Sequence, residues 1–258
     1  MQTTTPAKNA GLRNNFDMKL LTELYKIPAK TGNEEQIKSF ILENVKDIPM
    51  QVVTDQIGNL FFIKGTAESY PCVAAHLDEV HLPCERNIVV DGDVIYAVNN
   101  ENERVGCGAD DKNGLWMIIQ LLRTEPVLKV ALFVLEEKIS DDIPGCRGAR
   151  ACDLSFFADA RYILEIDRKG ASDVVQIGKE DTLLCPADFI PESILSQYGY
   201  QMVKGGKTDV VKLKMRGLAI PVCNIGCGYY NAHTSEEYTV FSELTHALHF
   251  VQEILRKV

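Results

Sequence analysis

Residues 129–137 read Lys-Val-Ala-Leu-Phe-Val-Leu-Glu-Glu. A β-rich apolar run of this length, with no polar residue between Val130 and Leu135, describes a strand covered on both faces, as in a parallel sheet flanked by helices. The two acids that end it matter as much. In open α/β sheets the ligand site lies beyond the carboxyl ends of the strands, so polar residues that directly follow apolar strands are the ones to examine. Neighbours on a strand face opposite ways, so at least one of Glu136 and Glu137 enters a cleft if the strand persists that far.

The same design recurs on both sides of this run. Cys72 to Ala75, Tyr162 to Ile166, Asp173 to Ile177 and Val222 to Ile225 are further strand candidates. Helical spacing places Leu20, Leu21 and Leu24 on one face of Phe16 to Tyr25. Ile37, Phe40, Ile41 and Val45 line a face of Glu34 to Val45, with Asn33 as a cap. Gly114 to Leu122, Arg150 to Phe157, Glu192 to Tyr198 and Val240 to Leu255 continue the helical series, while Thr208 to Met215 is a segment of unassigned type. Gln51 to Thr54 and Asn59 to Lys64 flank Gly58 as paired strands. Asn87 to Val90 and Val94 to Val98, joined at Asp91-Gly92-Asp93, give the clearest hairpin signal. Alternating helices and strands predict an α/β three-layer sandwich with a mostly parallel central sheet and a small added β-hairpin. Residues 1–15 are expected to form a disordered or extended tail and 16–258 a single domain.

The chain has 258 residues, 46% apolar and 24% charged, the composition of a soluble globular protein. Its formal net charge of -9 argues against the positive field that neutralises phosphates, so no nucleic acid is expected as a partner. No stretch approaches the roughly 20 apolar residues that span a bilayer, and Met1 to Asn15 lacks the apolar core of a signal peptide. No membrane association and a cytoplasmic location follow as expectations; the oligomeric state is not readable. Eight scattered cysteines in a long chain with a good apolar core read as reduced thiols, and Cys223 and Cys227 lack the second pair that a structural zinc site needs.

Five segments carry candidate chemistry. Val73-Ala74-Ala75-His76-Leu77-Asp78 runs an apolar strand into a His-x-Asp pair. Residues two apart share a face, and Asp78 has the type and spacing to fix the tautomer of a ligating His76. Gly106-Cys107-Gly108-Ala109-Asp110-Asp111-Lys112 opens a helix with two aspartates, which repel phosphate and favour a cation. Glu136-Glu137 offers a metal ligand in Glu137 and, in Glu136, a base free to accept a proton from metal-activated water. Asp167 ends another strand, and His233 precedes a capping-type Thr-Ser-Glu-Glu stretch. Taken singly each has an ordinary reading: an incidental His-x-Asp, an acidic helix start, surface acids, a structural histidine. Together, five acids and two histidines near strand ends and helix openings match what two divalent ions sharing one carboxylate require.

With these motifs in this order, Gly108-Ala109-Asp110-Asp111-Lys112, Glu136-Glu137 and Arg147-Gly148-Ala149, the chain resembles the co-catalytic zinc exopeptidases from about Leu20 to its end. That family includes peptidase T, the aminoacylase and carboxypeptidase G relatives, and the glutamyl and single-domain aminopeptidases. The resemblance implies His76, Asp110 and Asp167 on one metal and Asp110, Glu137 and His233 on the other. It also implies Glu136 as base, Asp78 orienting His76, and a cis Asp110-Asp111 peptide. Two divalent ions are expected, zinc first, with cobalt or manganese as alternatives. The expected substrate is a small peptide or acyl-amino acid, cleaved by an aminopeptidase or a di- or tripeptidase. A deacylase acting on an N-acyl amino acid and a catalytically silent metal-binding protein are the rivals.

Two departures stand out. About 33 residues separate His76 from Asp110 and about 65 separate Asp167 from His233, too few for the usual lid or dimerisation insert. Lys138 to Pro144 adds a loop after Glu136-Glu137. Without a lid an extra oxyanion donor must come from this domain, with Tyr229 or Tyr230 as candidates. Gly205-Gly206-Lys207-Thr208-Asp209 resembles a substrate-side loop, with Thr208 and Asp209 as substrate candidates and Lys207 where relatives carry a small residue.

Overall fold

The structure, a computed structural model, describes residues 17–258. The expected tail at 1–15 lies outside the described residues. Helices are α1 (Met18–Lys26), α2 (Glu35–Val45), α3 (Ala109–Thr124), α4 (Arg147–Ala151), α5 (Glu192–Tyr198), α6 (Asp209–Met215) and α7 (Phe241–Lys257). Strands are β1 (Met50–Thr54), β2 (Leu60–Lys64), β3 (Tyr70–His76), β4 (Asn87–Asp91), β5 (Val94–Val98), β6 (Arg104–Val105) and β7 (Leu128–Phe133). They continue with β8 (Ala160–Arg168), β9 (Asp173–Ile177), β10 (Gln201–Lys204), β11 (Val222–Gly226), β12 (Tyr229–Tyr230) and β13 (Tyr238–Val240).

The main sheet has eight strands in the order β1-β2-β7-β3-β8-β11-β9-β10. Its centre, β7-β3-β8-β11, is parallel throughout, β9 and β10 are also parallel, and the remaining pairs are antiparallel. The central strands are mainly apolar because both faces are covered. Val73, Ala75, Val130, Leu132, Tyr162 and Leu164 join a cluster with α1, α2, α3 and α7, while Cys72, Ala74, Ala131, Phe133 and Ile163 join the opposite cluster with α6. These two clusters on either side of one sheet make the three layers. Phe133 is fully buried in the second cluster, where truncation to alanine costs about 3–5 kcal/mol.

The structure corrects three expectations about local form. Arg150 to Phe157 is two pieces, α4 and a 3-10 turn at Leu154–Phe157, divided where the Asp153 carboxylate accepts from Ser155 N at 2.9 Å and starts a new cap. The run at 129–135 ends as a strand at Phe133, and Leu135 has φ 60°. The hairpin does not stand alone: β4 and β5 continue through β13 to β12, with β6 alongside, forming a second antiparallel sheet of five strands. Ile95 and Ala97 of β5 belong to the same core cluster as α3, so this sheet packs on the main body.

A candidate metal centre at the strand ends

Three adjacent parallel strands deliver the first side chains. His76 is the last residue of β3, Asp167 the penultimate residue of β8, and Glu136 and Glu137 follow β7. Period-two alternation carries the Cys72, Ala74 face of β3 onward to His76. Both glutamates reach the cleft, where at least one was expected, because β7 has already ended and strand alternation no longer applies. The turn through Leu135 is held by the Asp78 carboxylate, which accepts from Glu136 N at 2.8 Å and Glu137 N at 3.0 Å.

Asp110 comes from the opening of α3, where Asp110 and Asp111 depart from helical geometry and share the cis peptide that the resemblance implies. Buried Glu237 fixes this loop, accepting from Gly108 N at 2.6 Å and Asp110 N at 3.2 Å. Asp111 faces the other way: its carboxylate accepts from His76 N at 3.1 Å and Gly114 N at 3.1 Å. His233 lies between β12 and β13 with φ 67°, so the small sheet is what brings it to the cleft.

Asp110 stands between the two histidines. Its Oδ1 is 3.1 Å from His76 Nε2 and its Oδ2 is 3.2 Å from His233 Nε2. Asp167 Oδ1 lies 3.6 Å from His76 Nε2, and Glu137 Oε1 lies 2.7 Å from His233 Nε2. His76, Asp110 and Asp167 therefore offer ligand atoms within 4.8 Å of one another, as do Asp110, Glu137 and His233. His76, Glu136 and Glu137 meet the same criterion, so distance alone does not separate Glu136 as base from Glu136 as ligand. One oxygen of Glu136 is already engaged, by the Cys146 thiol at 3.1 Å.

Asp78 faces His76 with both its carbonyl and its carboxylate. His76 Nδ1 is 2.9 Å from the Asp78 carbonyl and 3.7 Å from its carboxylate, so the backbone oxygen is the closer partner that orients the ring. Tyr229 lines the cleft and donates to Asp167 Oδ1 at 3.3 Å. Tyr230 does not reach the cleft: its hydroxyl is bound by Glu243 at 2.5 Å and its ring stacks on Tyr238. Thr208 lines the cleft, whereas Asp209 is 1% exposed and does not contribute to the lining. The loop at 138–144 also stays outside the lining.

Residues that carried no clear sequence signal complete the frame. Asn224 on β11 clamps the end of β8, accepting from Asp167 N at 3.0 Å and donating to Asp167 O at 2.7 Å. An asparagine inside an apolar strand was the available hint. Beneath Asp110, Glu79 binds both Arg86 (2.8 Å) and Lys112 (2.8 Å) in a buried ion-pair network, which holds its carboxyl down at about 2 against the cost of burial.

The electrostatics favour cations. Burial, with the Asp110 charge beside it, pushes Asp167 up to about 7. Burial also raises Glu136 and Glu137, whereas hydrogen bonds to the two histidines overcome burial and hold Asp110 below the usual carboxylate range. His233 is raised to about 11 by Asp110 and Glu137. Crowded carboxylates that share too little positive charge, with imidazoles among them, make a donor set that fits two divalent ions sharing Asp110.

No family model matches the chain. One curated relative, named "Putative aminopeptidase" of Acetivibrio thermocellus, is 36% identical over 61 residues, a match spanning 24% of this chain and 18% of that protein. Among solved structures, the aminopeptidase PepT of Bacillus cereus superposes with a TM-score of 0.76 at 15% identity, covering 93% of this chain and 97% of that one. A tripeptidase of Staphylococcus aureus gives 0.74 at 16% identity, covering 94% and 97%. The TET aminopeptidase of a marine-sediment Thaumarchaeota archaeon gives 0.72 at 14%, covering 93% and 97%. On these superpositions, this chain has the fold of the PepT-type and TET aminopeptidases.

Proposed function

We propose that this protein is a metal-dependent hydrolase of small peptides, an exopeptidase acting through two divalent ions shared by Asp110. The observation that carries the reading is the placement of the two Asp110 oxygens, one 3.1 Å from His76 and the other 3.2 Å from His233, each histidine backed by a further carboxylate. Zinc suits mixed imidazole and carboxylate donors, with cobalt and manganese as alternatives. His76, Asp110 and Asp167 would hold one ion, and Asp110, Glu137 and His233 the other. Bound there, the ions would supply Lewis-acid polarisation of the scissile carbonyl and acidify water.

The chain's own groups account for the proton. Glu136 lies at the cleft wall with one oxygen bound by Cys146, leaving the other to accept a proton from the attacking water and return it to the leaving amine. Burial raises its carboxyl above the ordinary glutamate range, which makes its carboxylate form the stronger base. Asp78 keeps Glu136 and Glu137 in register through their backbone N–H groups. The Tyr229 hydroxyl, which donates to Asp167 Oδ1, would meet a developing oxyanion by turning from that carboxylate.

The same reading takes 16–258 as one catalytic domain with no inserted lid. It is supported by β9, β10 and β11, which occupy the Asp167 to His233 interval as strands of the main sheet. No helix among the described residues is long and apolar enough to cross a membrane, and a cytoplasmic setting is part of the proposal. The test is release of amino acids from di- and tripeptides by zinc-, cobalt- or manganese-loaded protein. Hydrolysis that chelation abolishes and metal restores supports the reading; metal-loaded protein that binds two ions and cleaves no peptide contradicts it.

A further inference from the structure

The turn that carries Glu136 and Glu137 is held more widely than by Asp78 alone. Val134 N donates to Asn59 Oδ1 at 3.0 Å, Leu135 N to Glu34 Oε1 at 3.3 Å, and Glu136 N and Glu137 N to the Asp78 carboxylate. Every N–H from 134 to 137 is thus received by a side chain from elsewhere in the chain. On the carbonyl side, Gly148 N, Arg147 N and Cys146 N donate to the oxygens of Val134, Leu135 and Glu136 at 3.0, 2.9 and 2.7 Å. The frame is most needed at Leu135. Its φ of 60° lies in the left-handed region, disfavoured for leucine, and such a backbone persists only where its surroundings over-determine it.

Glu34 is the unexpected member of this frame. It lies 101 residues before Leu135, is 5% exposed, and occupies the N-cap of α2, one position after the Asn33 expected there. Aspartate, asparagine and serine cap helices well, and the Glu34 side chain makes no cap bond to α2. Its Oε1 accepts instead from Gly32 N at 2.9 Å and from Leu135 N. An acid one methylene shorter would suit the helix and would not span to Leu135. Burying a carboxylate is costly unless hydrogen bonds offset it, and one of the bonds that does so here runs to the segment bearing the base.

We infer that Glu34 is a positioning residue for Glu136: by holding the Leu135 N–H it fixes the left-handed residue at which the chain leaves β7, and so sets where the Glu136 carboxylate stands. This rests on the reading of Glu136 as the base of a peptide hydrolase. Glu34 does not line the cleft, so it acts on the reaction only through the backbone.

The test compares zinc-loaded wild type, Glu34→Asp and Glu34→Gln by kinetics on trialanine, zinc content, and amide exchange followed by NMR. Glu34→Asp keeps the charge and suits the helix cap but is too short for Leu135. Its kcat should fall about tenfold, within the roughly 10²-fold that a small misplacement of a reacting group can cost, with KM and bound zinc unchanged. Exchange at Leu135 should quicken by about tenfold while Val130 and Leu132 in β7 stay protected, which separates a local release from a loosened fold. Glu34→Gln keeps an acceptor of the same reach and should restore kcat to within about threefold of wild type. Unchanged kcat and exchange in Glu34→Asp, exchange that quickens throughout β7, or lost zinc overturns the inference. So does a Glu34→Asp chain that does not fold, or a Glu34→Gln protein as slow as Glu34→Asp. A wild type that cleaves neither trialanine nor any other tripeptide removes the hydrolase reading, and local exchange then decides alone whether Glu34 holds the turn. Cleavage with wild-type kcat in Glu34→Asp removes this inference and leaves that reading.

Discussion

The two histidines of the centre are held in very different ways. His76 ends a central strand, its side chain is 2% exposed, and both ring nitrogens are engaged, Nδ1 by the Asp78 carbonyl and Nε2 by Asp110. His233 hangs from the short β12–β13 connection, its side chain is 49% exposed, and its Nδ1 has no partner among the described residues. A ligand whose ring is fixed beforehand loses less freedom on binding and is more basic when its other nitrogen is backed. The two halves share Asp110 yet should differ in grip, the His76 half tight and the His233 half exchangeable.

The largest effect should come from the residue that belongs to neither half. Glu136→Gln keeps size and removes the proton acceptor, so peptide turnover should fall by about 10²-fold or more while two ions remain bound. Loss of an ion in that variant would reassign Glu136 as a ligand and break the division of roles. Next, His233→Ala should weaken one ion by more than the roughly 10- to 100-fold typical of losing a backing partner, and leave the other in place. Calorimetric titration showing both ions weakened equally would erase the contrast between the halves. Asp78→Asn keeps the carbonyl that orients His76 but weakens the grip on the Glu136-Glu137 turn. Metal affinity in the Glu137 half should then drop by about tenfold, more than in the His76 half. A larger loss in the His76 half would restore the carboxylate as the orienting group.

The smallest effect is a slope with pH. Asp167, ordinarily at 3.8, sits at about 7 in the fold, so between those values the folded state holds more protons than the unfolded, and metal-free stability falls as pH rises through that window. His233, raised to about 11, has the same sign, its contribution being full below 6.5 and lost as pH rises through 11. Ions must displace these protons, so the rise in Tm on adding zinc should grow from pH 5 to pH 8. Scanning calorimetry that finds a rise independent of pH, or largest at pH 5, would contradict the assignment of these groups as ligands.

What the sequence could disclose follows the same contrast. His76, Glu136, Glu137 and Asp167 were legible because each follows a largely apolar strand run, short before His76, and such runs mark buried parallel strands whose carboxyl ends face the site. Asp110 was legible from a glycine-rich turn carrying two acids. His233 was found by motif alone, since β12 and β13 span two and three residues, too short for periodicity to register. Their pairing with the β4–β5 hairpin is a tertiary event that no local pattern records. Glu237 looks like any acid in a polar stretch, and only the fold turns it onto the backbone of Asp110. Tyr229 and Tyr230 are adjacent in a strand, so one had to face away, and the sequence alone did not say which.

The central claim is that Asp110 joins two ions into one centre, and its most direct test is the number of zinc ions bound per chain in the wild type and in Asp110→Asn. The account predicts two per wild-type chain and neither held tightly once Asp110 is replaced, with the fold retained by circular dichroism. One ion per wild-type chain, or an Asp110→Asn protein that still binds two with wild-type affinity, would contradict it.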